Sequence, residues 1–372
     1  MKICIVTRHF VREVSELVRY ARRAHFPAEF FIVLPFNNAQ GGSEQHDFGA
    51  ARVHQRKVYF PHRMRAACYS PALFRDILAF QPDILHLFEE CSGLIAFQTL
   101  LFNRMLGRNS KVLLYSAENL PHNMHPVFRL LMRYVMHRSD AALVCSHGVK
   151  PILQAEGYTK RIQVFPLGID TSKFYKFPVD ILKTQLKLDG KFVIGYVGRL
   201  LEIKGVFLLI EMMRHLPENV HLLMVGSGPE ESRLRQKAAD FHVAHRIHFV
   251  GAIPYSDLPR YMNCMDLGVA PSQTTPYWKE QFGRALVEFM SCEVPVIGSN
   301  SGSIPEVIGE AGYIFPEKTL AELVSIVQAL IEQPEKRQKL GQRGREQAQQ
   351  HYSAAIMSQR LLEMYKTLTQ RM

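Results

Sequence analysis

Short apolar runs alternate along this chain with longer stretches whose apolar residues recur every three or four positions. KICIVT (2–7), EFFIVLP (29–35), DILHLF (83–88), KVLLYSA (111–117) and AALVCS (141–146) read as strands. Between them VREVSELVRYARRAH (11–25), the stretch from Ser92 to Leu106 and PVFRLLMRYVMHR (126–138) have helical spacing. Strands that are apolar on both faces and separated by helices predict a parallel sheet covered on both sides. GIDTSKFYKFP (168–178) breaks the pattern with turn residues and no periodicity, which places a linker there. The alternation then restarts with KFVIGYVG (191–198), HLLMVGSG (221–228), RIHFVGA (246–252), DLGVAPS (266–272) and VPVIGSN (294–300). Helices are expected over 205–215, 229–241 and 283–291, and the tail from Glu317 reads as almost wholly helical.

This pattern predicts an α/β protein of two doubly wound domains, 1–168 and 169–352, with a ligand cleft at the carboxyl ends of their strands. A final helix over 353–372 is expected to pack back on the first domain. At 372 residues the chain has enough length for two separate cores. An apolar share of 47% and a charged share of 21% exclude a disordered chain. No apolar run approaches the roughly 18–20 residues of a membrane span, and SGLIAFQTLLFN reads as a core helix. MKICIVTRHF lacks the layout of a signal peptide. Six scattered cysteines, with no CxxC pair, fit free thiols in a reducing cytosol.

Charge changes the picture of the first half. Residues 1–170 hold 21 Lys/Arg against 13 Asp/Glu, a net +8 of the chain's +11. A solvated basic face explains this; so does a surface that meets anionic lipid, at about 1 kcal/mol per basic group. No nucleic-acid-binding module or aromatic–basic interleaving appears, so nucleic acid is not expected as a partner.

Three stretches carry candidate chemistry. In VGRLLEIKG (197–205), Arg199 and Lys204 follow a strand and precede a helix. A guanidinium fork and a flexible ammonium there can both reach one diphosphate, though two solvated loop cations would look the same. MVGSGPEE (224–231) is a Gly-x-Gly turn, which a tight bend alone explains. In EQFGRALVEFMSCEVPVIGSNSGSIPEV, Glu280 precedes a helix that opens near Phe282 and Gly283, whose free N–H groups favour an anion. Glu288 lies further into that helix among apolar neighbours, where a carboxylate needs hydrogen bonds such as paired ribose hydroxyls. Ser303 with Glu306 offers a capping box for the next helix.

Taken in order, VGRLLEIKG, MVGSGPE, HFVGAIPYSDLPRYM, the Glu280 stretch and GYIFPE resemble family-4 retaining glycosyltransferases of GT-B fold. The resemblance runs from about Phe192 to Glu317; the first half shares only strand–helix order and pieces such as QPDILHLFEE and FPLGIDTSKF. It implies two Rossmann-like domains facing each other across a cleft. Arg199 and Lys204 would neutralise the departing diphosphate, and Glu280 would bind the donor sugar. Gly198, Ile253, Phe282 and Gly283 would line the donor, and Glu288 would hold its ribose. No cofactor and no metal are implied, and the chain contains no Asp-x-Asp.

Two departures fall in the first half. The glycine-rich loop that the family has after its first strand is replaced by RHFVREV, where Arg8 or His9 would take its place. The family's His-x-His-Glu becomes His86, Phe88 and Glu89, with His86 read as a core histidine. Glu89 and His122 are further candidates on the acceptor side. The expected activity is retaining transfer of a sugar from a nucleotide-sugar to a hydroxyl of a glycan or lipid-linked saccharide in cell-surface polysaccharide biosynthesis. The setting is cytoplasmic, at the inner face of an anionic membrane. A nucleotide-sugar epimerase of the same fold and a non-catalytic partner subunit stand as alternatives.

Overall fold

A computed structural model of the chain describes residues 1–36, 47–107, 109–121 and 124–370. His122 and the Gly41–Gly42 pair lie outside the described residues. The chain divides into two compact units, Met1–Gly168 together with Ala354–Met372, and Ile169–Ser353.

The first unit is built on a seven-stranded sheet in the order Arg52–Arg56, Glu29–Pro35, Lys2–Val6, Ile84–Leu87, Lys111–Ser116, Ala141–Val144, Arg161–Val164. Every pairing in it is parallel. Ile3, Ile5, Ile84, Leu85 and Leu143 have no exposed surface, because helices cover both faces. The apolar runs of the central strands follow from that double burial. Strand order reverses between Lys2–Val6 and Ile84–Leu87, so this unit has its switch point there.

Some elements differ from the sequence reading. Arg52–Arg56 is a strand although RVHQR is polar, because it lies at the sheet edge and pairs only with Glu29–Pro35. A two-stranded antiparallel ribbon, Val58–Tyr59 with Cys68–Tyr69, follows it. Helix Ala72–Phe80 comes next. The tail is three helices, Leu320–Glu332, Pro334–His351 and Ala354–Gln370. The last of these belongs to the first unit, where Met357, Leu361, Leu362 and Tyr365 are buried in its core. Each such side chain contributes about 2 kcal/mol of burial free energy.

The second unit holds a six-stranded parallel sheet in the order Ile247–Gly251, Val220–Val225, Phe192–Val197, Leu267–Ala270, Val296–Ser299, Gly312–Phe315. Its order reverses between Phe192–Val197 and Leu267–Ala270. The loops that leave the carboxyl ends of these two strands begin at Gly198 and Pro271. Both units are therefore doubly wound. Among the described residues no helix is long and apolar enough to cross a membrane. All six cysteines are free thiols, five of them buried and Cys68 half-buried.

Candidate active site

In the second unit the sequence candidates gather at the switch point. Val197 leads into Gly198, whose N–H donates to the Val225 carbonyl at 3.0 Å. Arg199 follows, exposed, with no ion pair to any described residue. Leu200 then plunges into the core, fully buried. Its N–H donates to the Ser227 carbonyl at 3.0 Å, and its own carbonyl accepts from Glu230 at 3.3 Å. The Gly-x-Gly turn 226–228 therefore acts as a brace for this loop, in keeping with a tight bend.

A single 3₁₀ turn, Glu202–Lys204, ends at Gly205 with φ +69°. A Cβ there would lie 1.8 Å from the Pro271 carbonyl oxygen, so only glycine lets the two switch-point loops touch. That contact brings Lys204 to the other loop. Its Nζ donates to Glu280 Oε2 at 2.8 Å and lies 4.6 Å from the centroid of the Trp278 ring. Lys204 and Glu280 are mostly buried, at 19% and 12% side-chain exposure. The Ser272 hydroxyl donates to the same Glu280 oxygen at 2.7 Å. Glu280 is thus held by a cation and a hydroxyl on one oxygen, and its backbone carbonyl accepts from Ser303 N–H at 3.0 Å.

That last bond accounts for a difference from the sequence reading. Ser303 precedes helix Ile304–Ile308 but makes no side-chain cap, so the expected capping box with Glu306 does not form. The serine's backbone anchors the Glu280 loop instead. Thr274 is tied to the same region, its N–H and hydroxyl both donating to the Glu317 carboxylate.

Gly283 has φ +80° and opens helix Arg284–Ser291. Phe282 is buried just before it and meets the Tyr352 ring edge-on at 5.7 Å. Glu288 sits on that helix at 2% exposure, and its Oε1 accepts from the Tyr255 hydroxyl at 2.7 Å. Tyr255 follows Ile253, half-buried, in the loop after strand Ile247–Gly251. A phenol thus supplies a hydrogen bond to the buried carboxylate. Ser272, Trp278 and Tyr255 went unnoticed in the sequence. The one available signal was that each belongs to a loop leaving a strand of this sheet at its carboxyl end.

In the first unit, Arg8 and Glu89 also lie at a switch point, one residue past Thr7 and one past Phe88. They pair with each other: the Arg8 Nε and Nη2 donate to Glu89 Oε2 at 3.0 and 2.9 Å, and the Arg8 backbone N–H donates to Oε1. At 7% and 2% side-chain exposure this pair is buried, so removing one partner would strand the other charge at about 3–5 kcal/mol. His9 is exposed beside them. His86 is wholly buried, its Nδ1 2.7 Å from the Tyr365 hydroxyl, and its ring stacks on Phe88. It is a core histidine.

Next to this pair stands a carboxyl the sequence reading passed over. Glu90 accepts from the Ser116 hydroxyl at 2.8 Å and the Ala117 N–H at 2.7 Å. Burial first, then the nearby Glu118 carboxylate, pushes its carboxyl up to about 8. Glu118 in turn accepts from Arg65 at 3.1 Å and Ser92 at 3.1 Å. Among the described residues no cluster of three or more His, Cys, Asp or Glu side chains is placed to hold a metal ion.

Residues 11–173 match the family described as Glycosyltransferase Family 4, and residues 180–347 match Glycosyl transferases group 1. A capsular polysaccharide biosynthesis glycosyltransferase of Staphylococcus aureus is 28% identical over 253 residues, 65% of each chain. The chain thus spans just under two thirds of that relative. A GDP-mannose-dependent alpha-(1-6)-phosphatidylinositol monomannoside mannosyltransferase of Mycolicibacterium smegmatis is 25% identical over 334 residues, 87% of each chain. Among solved structures, Anabaena HepE in complex with UDP is similar at TM-score 0.80 and 19% identity, over 99% of this chain and 100% of that one. A glycosyltransferase from Rickettsia africae also has a TM-score of 0.80, at 18% identity over 99% of this chain and 98% of that one.

Proposed function

We propose that this chain is a group 1, family-4 glycosyltransferase of GT-B fold that moves a hexose from a nucleotide diphosphate-sugar to an acceptor hydroxyl with retention of the anomeric configuration. The observation that carries this reading is the Lys204–Glu280 pair at the second unit's switch point, with exposed Arg199 on the same loop. Arg199 and Lys204 supply positive charge where a diphosphate would depart, and stabilising that developing charge is usually the largest catalytic contribution. Glu280, fixed by Lys204 and Ser272, presents its carboxylate to sugar hydroxyls. Glu288 and Tyr255 together can hold a ribose, with Gly198, Ile253, Phe282 and Gly283 around the donor. UDP bound to HepE supports a nucleotide donor by analogy of fold.

In the reaction, the acceptor oxygen bonds to the anomeric carbon as the bond from that carbon to the phosphate oxygen breaks. The acceptor's proton passes to the departing diphosphate. No metal and no cofactor enter this scheme. The acceptor is a glycan or a lipid-linked saccharide in cell-surface polysaccharide biosynthesis, met at the inner face of an anionic membrane. Arg8, His9, Glu89 and His122 are the acceptor-side candidates, with the buried Arg8–Glu89 pair acting as support for that surface.

The test is turnover of a panel of nucleotide-sugars, chosen by the thermal shift each produces, since binding to the folded state raises its stability. Lys204→Ala and Glu280→Gln are expected each to lower transfer at least about 100-fold with an unchanged circular dichroism spectrum. Near-wild-type turnover in Lys204→Ala would refute the diphosphate assignment. Chelator should leave the rate unchanged, and the product's anomeric proton coupling reports retention. A donor sugar altered in the absence of acceptor would indicate an epimerase instead.

A further inference from the structure

Residues 59–64, Tyr-Phe-Pro-His-Arg-Met, form six consecutive exposed positions in the first unit. Tyr59, Phe60 and Met64 are 40%, 62% and 61% exposed, unusual for side chains of their size. Phe60 has φ +52°, a left-handed conformation that costs a non-glycine residue about 1 kcal/mol. Between Asp47 and Asp76 the sequence has six Lys/Arg and no carboxylate. Arg52, Arg56 and Arg65 are committed to Glu29, Asp76 and Glu118. Lys57 and Arg63 are exposed and make no ion pair with a described residue; Lys57 lies 5.2 Å from the Tyr59 ring centroid.

The place of this segment matters as much as its composition. It leaves the carboxyl end of the edge strand Arg52–Arg56, and the Met64 carbonyl accepts from Arg8 Nη2 at 3.2 Å. The knob therefore stands beside the Arg8–Glu89 pair, at the carboxyl edge of the first sheet. Helix Pro126–Arg138 leaves Val127 and Leu130 exposed, at 54% and 69%, in its first turns. Those turns follow the carboxyl end of strand Lys111–Ser116, so they share that edge.

We propose that this knob, Tyr59, Phe60 and Met64 flanked by Lys57 and Arg63, docks the first unit on an anionic lipid bilayer. Aromatic and apolar side chains enter the interface between headgroups and acyl chains while the two cations meet lipid phosphate. The combination of apolar tips and exposed cations with no ion pair to a described residue favours a charged bilayer over a second protein copy, for which cations facing cations would repel. The inference rests on the proposed lipid-linked acceptor for its purpose, and goes beyond it by naming the surface that brings the acceptor edge to the membrane.

The experiment is flotation of the full chain with vesicles of phosphatidylglycerol and phosphatidylcholine, or of phosphatidylcholine alone, at low and high salt. Wild type is expected to float with the anionic vesicles at low salt and to be released by salt. Phe60→Ser with Met64→Ser should lower the partition coefficient at least about tenfold, and Lys57→Ala with Arg63→Ala about tenfold. Both variants should hydrolyse water-soluble donor as wild type does, which separates a docking defect from a failure of the transfer reading. The proposal is overturned if wild type does not float, if the variants float equally well, or if binding to neutral vesicles is as strong. Light scattering that finds a dimer dissociated by the same substitutions, without vesicle binding, would likewise overturn it in favour of self-association.

Discussion

At the scale of single residues, charge placement decides how stability responds to pH. His86 has no exposed surface, and burial lowers its imidazole to about 3 from an ordinary 6.5. The folded state thus binds this proton more weakly than the unfolded state does. Its neutral form contributes fully above pH 6.5, and that contribution is lost as pH falls from 6.5 toward 3. His86→Gln removes the titrating group, so the variant should lose less stability between pH 7 and 4 than wild type in urea titrations. Equal losses would place the acid sensitivity elsewhere. Residue identity also pointed to much of the proposed donor side. Arg199, Lys204, Glu280 and Glu288 were recognisable in the sequence because they come in stretches of distinctive order. Tyr255, Ser272 and Trp278 were not, since a lone tyrosine, serine or tryptophan in a loop has no local signature.

At the scale of elements, two loops and one helix start make the proposed donor site, and glycine is what allows the two loops to meet. Gly205→Ala would combine an unfavourable positive φ with a Cβ 1.8 Å from the Pro271 oxygen. The expected cost is about 2–4 kcal/mol of stability, with a larger loss in turnover because Lys204 would be pushed from Glu280. Thermal melts and donor hydrolysis measured on the same preparation check both parts. Central strands were legible because burial on both faces leaves a continuous apolar run. The edge strand Arg52–Arg56 and the ribbon Val58–Tyr59 with Cys68–Tyr69 were not, since half-exposed pairs carry no such run. The capping box at Ser303 failed for a tertiary reason: the Glu280 carbonyl takes the serine's N–H, and the side chain makes no cap.

For the whole molecule, the chain leaves the first unit at Gly168 and returns to it at Ala354. Ending the chain after Ser353 would strip Met357, Leu361, Leu362 and Tyr365 from the first core while removing nothing from the second. Such a truncation should lower or abolish the first unit's thermal transition and keep the second, with the nucleotide-dependent shift that the proposed donor site predicts. Loss of both transitions would mean the second unit does not fold alone. The sequence by itself determined two parallel α/β cores and the resemblance of the second half to glycosyltransferases, because strand burial and short ordered motifs are local properties of the chain. Only the tertiary structure decided that Lys204 meets Glu280, 76 residues away, and that Arg8 closes on Glu89, 81 residues away. Those partners are set by which strands lie side at the switch point of each sheet, and strand order is a property of the assembled sheet rather than of any stretch within it.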